Sequence, residues 1–358
     1  MVVACGKDSV RLFLDAGCFV GCVLTDSLVS RLATDSLPSS GSQRTQKYII
    51  PPFMFDTALV QYDYIVRNNY YGVSFFAPDY KRDQRTWEIN FKKSFIHLHD
   101  SCPVDETDAL VLPFHHVEGR NAIILKIPIM LVSGKDTLKT DNEYLFDLGG
   151  TVSPLLFFEP DEALQAFSEK SRHLDIETSV SGKLQKRGKW AIDRYFDVDG
   201  LFLPESNILP CRDHIRISGM PRNVSVLAGL SPKVKGTIGT GFFIHYNVFL
   251  DLRNKKMVLF RHGMDYTSFK SKLNRLGFSV MLGEDGMHVE SLHLNSPAAK
   301  AGLQIGDVLL SINGNRFITP DFWDSLRMNS LAGMPLKLLV KRGETVIPID
   351  TKVYNPLE

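Results

Sequence analysis

The sequence predicts a mostly β protein made of two similar halves and a smaller third domain. Three observations predict it. Short runs rich in Val, Ile, Leu and Phe, broken by Gly, Pro and Asn, read as strands joined by turns. A set of features recurs in the same order in residues 1–105 and 118–262. A third region, 273–355, carries its own strand and helix signals.

The repeat is the strongest of these, because self-similarity within a chain reveals architecture that single segments do not. Each half opens with a hairpin. In the first, Val2-Val3-Ala4-Cys5 is followed by a turn at Gly6-Lys7-Asp8-Ser9 and by Val10 to Leu14. In the second, Ile123 to Val132 is followed by the polar stretch Ser133 to Asn142 and by Tyr144 to Phe146. Each apolar strand then ends in Asp-x-Gly. These are Asp15-Ala16-Gly17 and Asp147-Leu148-Gly149, with the aspartates 132 positions apart.

A helix-like segment comes next in each half, with Thr25 and Pro160 as helix-start residues. Further on stand two glycines followed by paired phenylalanines, Gly72-Val73-Ser74-Phe75-Phe76 and Gly239-Thr240-Gly241-Phe242-Phe243. Each half closes with a strand, a charged turn and a strand, Trp87 to Leu98 and Val248 to Leu259. A lone Asp-x-Gly is a very weak signal; the ordered set is far stronger. Two carboxylates on matching halves can meet across a pseudo-twofold axis, and a pair of aspartates sharing one proton can activate water.

With these features the chain resembles the retropepsin-like and pepsin-like aspartic peptidases over roughly residues 1–262. Tyr71-Gly72 and Thr237-Ile238-Gly239 resemble that family's apolar-Gly segment, which crosses beneath the aspartate loop. The closing pattern is similar to the exported bacterial branch with two fused retropepsin-like lobes. The resemblance implies two acid-protease lobes, Asp15 and Asp147 as the catalytic pair, and a polypeptide substrate. It implies supporting loops at Ala16, Gly17, Leu148, Gly149, Gly72 and Gly239. It also implies flaps near Gln43 to Phe53 and around Lys183 to Phe196, and an exported, periplasmic or cell-surface location.

One departure matters. The family keeps Thr or Ser between Asp and Gly, where its hydroxyls brace the two loops. This chain has Ala16 and Leu148 there. Misplacing a catalytic group by about 1 Å can cost roughly a hundredfold in rate. Two readings therefore stand: a working aspartic endopeptidase, and a pseudopeptidase that keeps the fold as a peptide-binding scaffold.

The third region contains Leu276-Gly277-Phe278-Ser279-Val280 and the long run Ser296-Pro297-Ala298-Ala299-Lys300-Ala301-Gly302-Leu303, continuing through Gly306-Asp307-Val308-Leu309 to Ile312-Asn313-Gly314. This is similar to a PDZ domain. The resemblance implies strand addition of an extended peptide, in particular a C-terminal peptide, beside the strand after Leu276. Backbone N–H groups at Gly277 and Phe278 would hold its carboxylate. Phe278, Val280, Phe322 and Leu326 would line a side-chain pocket, with Ser279 on the same strand.

Composition excludes other classes. Of 358 residues, 44% are apolar and 23% charged, with a net charge of +1, so nothing points to nucleic acid. No apolar run is long enough for a transmembrane segment. No signal peptide is visible, because no charged and apolar segment precedes Val2-Val3-Ala4-Cys5. The five cysteines are Cys5, Cys18, Cys22, Cys102 and Cys211. Cys18 and Cys22 lack neighbouring ligands, so the expectation is buried small hydrophobes, with no metal and no cofactor; export would also allow a disulfide between two of the five. His97, His99, His115 and His116 read as surface-strand and linker residues.

Overall fold

The computed structural model describes residues 2–5, 8–14, 22–37, 47–55, 58–62, 65–68, 74–93, 95–149, 153–179, 190–203, 213–261, 274–283, 286–316 and 320–357. The residues Asp15, Ala16, Gly17, Cys18, Gly72 and Cys211 lie outside this set, as do 43–46 and 183–189 of the expected flaps. The protein is mostly β. It folds as two compact units, one of residues 1–156, 199–213 and 227–269, the other of 157–198, 214–226 and 270–358.

In the first unit, Val2–Cys5 and Asp8–Arg11 form a hairpin in which Asp8 and Ser9, expected in the turn, belong to the strand, and Phe53–Phe55 pairs against the outer side of Val2–Cys5. Phe13–Leu14 then runs parallel to Phe75–Phe76, with Phe13 opposite Phe75 and Leu14 opposite Phe76. Cys22–Thr25 flanks Phe75–Phe76 on the other edge and leads directly into helix Asp26–Leu32. Thr25 is the N-cap, as read from the sequence. Its side chain makes no cap bond; its backbone N–H donates to Ser74 Oγ at 3.0 Å.

The second half repeats this order with longer strands. Ile123–Ser133 and Asp136–Phe146 pair antiparallel from Ser133 opposite Asp136 to Ile124 opposite Leu145. The sequence reading took the polar residues here as a connection; most of them instead continue the strand. They are polar because the far end of the ribbon faces water. Along Asp136–Phe146 full burial begins only at Tyr144. Val234–Ile238 then runs parallel to Asp136–Phe146, with Phe146 opposite Ile238.

Both closing hairpins form, Thr86–Asn90 with Phe95–His99 and Tyr246–Asp251 with Lys256–Arg261. Their inner strands pair with each other antiparallel, from Thr86 opposite Asp251 to Asn90 opposite Asn247. Matching strands meeting antiparallel is what a local twofold axis requires. Trp87 pins this seam. It is fully buried, its ring centroid is 6.2 Å from that of Phe76, and its indole N–H donates to Asp83 at 2.9 Å. Truncating a core aromatic of this kind costs about 3–5 kcal/mol.

One correspondence drawn from the sequence does not hold. Phe75–Phe76 is a strand, whereas Phe242 and Phe243 lie in helix Thr240–Phe243. By strand register, Phe76 stands opposite Leu14 as Ile238 stands opposite Phe146. Ala77, rather than Gly72, therefore takes the place of Gly239. The sequence match followed residue types; hydrogen-bond register decides position.

In the second unit, helix Glu162–Lys170 begins one residue later than Pro160 suggested. Asp161 is the N-cap, and its carboxylate accepts the Leu164 N–H at 2.8 Å. His173–Ser179 and Trp190–Val198 form a hairpin, and Asp213–Ser218 lies beside the latter. Downstream, Phe278–Gly283 pairs with one edge of Gly286–His293, and Val308–Ile312 pairs with the other. Pro335–Arg342 and Thr345–Lys352 follow. Helices Pro297–Lys300 and Pro320–Asn329 accompany these strands over a core that includes Leu276, Phe278, Val289, Ile312, Leu336 and Val340.

Gly286–His293 also pairs with His173–Ser179, placing Ile176 opposite His293 and Thr178 opposite Ser291. Residues 157–198 and 214–226, assigned from the sequence to the second lobe, therefore share a sheet with the C-terminal region. No described helix is long and apolar enough to cross a membrane.

Candidate functional sites

The first site is the Asp147 loop. Strand Asp136–Phe146 delivers Asp147 beside the end of Val234–Ile238, and the Asp147 N–H donates to the Ile238 carbonyl at 3.0 Å. The Asp147 side chain is 5% exposed, and its Oδ1 accepts the Gly149 N–H at 3.1 Å. That bond curls the loop and aims the carboxylate, using the glycine singled out in the sequence. Gly239 contributes through its backbone N–H, which donates to the Pro154 carbonyl at 3.1 Å.

Leu148 carries no hydroxyl to brace the loop. A brace is present from another direction: Thr240 Oγ1 donates to the Leu148 carbonyl at 2.7 Å. Leu148 is 9% exposed, so its side chain contributes apolar burial to the loop. Thr237 lies just upstream on the parallel strand. Its hydroxyl is buried and has no hydrogen-bond partner among the described residues. Sequence reading named Thr237 only as part of the apolar-Gly segment and missed Thr240 as a brace. The signal was present, since a Thr directly after such a glycine has a hydroxyl within reach of the loop it crosses.

In the first half Leu14, which precedes Asp15 in the sequence, stands opposite Phe76 in a parallel pairing. Cys22 is buried in the expected manner of a small hydrophobe. Among the described residues, no group of three or more His, Cys, Asp or Glu side chains is arranged to hold a metal ion.

The second site is built on the Asn274–Phe278 loop. Asn274 holds it from both ends, accepting the Leu276 N–H on Oδ1 at 3.0 Å and donating from Nδ2 to the Phe278 carbonyl. Gly277 has φ +85°, and a Cβ there would lie 2.9 Å from Ser296 Cβ and 3.2 Å from Tyr354 Cε1. Glycine is required both for the left-handed conformation and for the close approach.

One expected pocket residue, Phe278, sits elsewhere. Leu276 and Phe278 are fully buried in the domain core, where Trp323 packs on Phe278 with ring centroids 5.4 Å apart. Their side chains belong to the core, while Asn274 bonds the Leu276 N–H and the Phe278 carbonyl. Val280, Phe322 and Leu326 are half-buried along the core margin, as an apolar groove wall needs to be. Ser279 is tied across the strands to Ser291 Oγ at 2.5 Å. Asp307, from the Gly-Asp motif, is 1% exposed, caps the Gln304 N–H at 2.9 Å and takes a two-pronged bond from Arg342 at 2.7 and 2.8 Å. Sequence reading missed Asn274, Trp323, His293 and Tyr354, which position the loop from outside the motif.

This loop, strand and helix, with the braced Gly-Asp turn, define a peptide-docking module of the PDZ class. Residues 274–353 match the PDZ domain family. No curated protein matches the chain. Among solved structures, the aspartic proteinase from Irpex lacteus is similar at 10% identity and a TM-score of 0.42, over 73% of this chain and 93% of that one.

Proposed function

We propose that the protein is an aspartic-type endopeptidase whose PDZ domain docks a polypeptide tail. What supports the peptidase reading is one observation: strand ends leading to Asp15 and Asp147 are each held by a parallel neighbour in the same register, Leu14 by Phe76 and Phe146 by Ile238. In the proposed reaction the two aspartates share one proton. The ionised carboxylate removes a proton from water as the oxygen attacks the peptide carbonyl, and the protonated one donates to the carbonyl oxygen. The resulting diol collapses with proton transfer to the departing nitrogen, giving an acid and an amine. By the family resemblance the protein works outside the cytoplasm; finding it wholly in the cytosolic fraction of its native cells would count against that part.

The test is cleavage of an unfolded protein at acid pH by the full chain and by Asp15→Asn and Asp147→Asn. Loss of turnover in both variants supports the mechanism, and unchanged cleavage refutes it. A second reading, a pseudopeptidase scaffold, is favoured by Ala16 and by the buried bulk of Leu148. Turnover by the unaltered chain that both aspartate variants abolish would exclude it.

A further inference from the structure

We propose that the carboxylate-binding loop of the PDZ domain and the hairpin His173–Ser179/Trp190–Val198 work as one device, joined at His293 and Leu294. A peptide tail that orders the loop thereby orders the hairpin. The proposal rests on the PDZ domain docking a tail, not on peptidase activity.

The joint is visible in consecutive amides. The His293 N–H donates to the Gly277 carbonyl at 2.8 Å, and the Leu294 N–H donates the opposite way, to the Asp175 carbonyl at 2.9 Å. One residue step therefore spans from the loop to the hairpin. Ile176 sits directly opposite His293. Asp175 is itself fixed by Arg194, with bonds of 2.8 and 3.1 Å.

The C-terminal tail ties the same two parts a second time. The Tyr354 N–H donates to the Arg275 carbonyl at 3.0 Å, and its hydroxyl lies 2.6 Å from His293 Nδ1. His293 is 3% exposed, so this bond is shielded from water. Three positions along, Leu357 packs against Leu174, Ile176 and Tyr195. Loop and hairpin are thus clasped by one short segment, with Tyr354 on the loop and Leu357 on the hairpin. A third tie is electrostatic. Arg216, bonded to Asp193 and lying 5.4 Å over the Tyr195 ring, attracts Glu290 on the PDZ strand.

The physical consequence comes from linkage. Groups that share hydrogen bonds through one joint lose conformational freedom together, so ordering either end lowers the cost of ordering the other. A peptide added beside Phe278–Gly283 fixes that strand and the Gly277 carbonyl, and so His293. His293 and Tyr354 are positioning residues: they touch the loop, not the peptide.

The test is amide hydrogen exchange of the full chain, with Tyr354→Phe loosening the loop side and Leu357→Ala the hairpin side. Each substitution is expected to speed exchange about five- to tenfold in both 275–278 and 173–179, the factor a lost buried contact of about 1 kcal/mol gives. Exchange in 335–352 should not change. If each substitution loosens only its own side, the joint does not exist. Equal acceleration of 335–352 would mean global unfolding and would likewise overturn it. Peptide docking is read separately, on an array of decapeptides with free or amidated C-termini. If none binds, the docking reading falls while the exchange result still decides the coupling.

Discussion

Phe146 lies opposite Ile238 in a parallel pairing, and the next amide, that of Asp147, donates to the Ile238 carbonyl at 3.0 Å. This fixes the point along the strand where the carboxylate leaves the sheet. Leu14 and Phe76 repeat the pairing in the first half. A parallel neighbour suits the task because its evenly spaced hydrogen bonds hold the strand up to its last residue.

Thr240→Val tests what holds the loop beyond that point. Valine keeps the shape and removes the hydroxyl that bonds the Leu148 carbonyl. An acceptor left unpaired in a half-buried site costs about 1–2 kcal/mol. The expected outcome is a matching loss in urea stability. In the peptidase reading kcat also falls about tenfold while KM barely moves, because the loop sets carboxylate position rather than substrate affinity. An unchanged urea midpoint would show that the hydroxyl braces nothing.

Leu148→Thr separates the two functional readings. Replacing a 9%-exposed leucine with a smaller polar residue should lower stability by about 1–3 kcal/mol. If the leucine is what restrains catalysis, turnover of unfolded protein rises at least severalfold despite the lost stability. If turnover does not rise, Leu148 is not what restrains catalysis.

Part of the architecture was legible because several features recur in the same order along the chain. The hairpin ahead of Asp147 and both closing hairpins formed where the repeat put them. Register did not show in the letters: Gly72 looked like the partner of Gly239, yet pairing gives that place to Ala77. The polar run Asp136 to Asn142 looked like a loop because strand propensity gives way to exposure at a ribbon's tip. In the PDZ domain, Leu276 and Phe278 were legible as motif residues, but whether a side chain faces groove or core depends on Trp323, forty-odd residues away. The sharing of one sheet between His173–Ser179 and Gly286–His293 had no signature, since strand addition uses backbone that every residue has.

Gly277→Ala probes the Asn274–Phe278 loop, with Gly302→Ala as the comparison. Both glycines have positive φ, +85° and +93°, but only Gly277 would place a Cβ against neighbours. The backbone strain common to both costs about 1–2 kcal/mol. Gly277→Ala should cost about 1–2 kcal/mol more, from overpacking on Ser296 and Tyr354, and should abolish peptide binding. Gly302→Ala should leave binding intact. Equal effects on stability would mean that the close approach at Gly277 is not tight.

His293 gives the second unit a defined dependence on pH. Burial lowers its pKa from the ordinary 6.5 to about 4, so the folded ring stays neutral well into the acid range. Between those values the unfolded chain takes up a proton that the folded chain refuses. Stability therefore falls as pH drops below 6.5, and the loss is complete near pH 4. A shift of this size corresponds to about 3 kcal/mol. Glu290 acts in the opposite sense. Burial raises its pKa, partly offset by Arg216, so the folded state holds a proton that the unfolded state releases and stability falls as pH rises through that raised value. Urea midpoints from pH 7 to pH 4 should therefore fall more steeply for the unaltered chain than for His293→Gln, whose side chain does not titrate. Glu290→Gln, by removing the opposing contribution, should steepen the acid loss. Equal slopes for the unaltered chain and His293→Gln would place the acid sensitivity elsewhere and leave the Tyr354–His293 contact without a role in it.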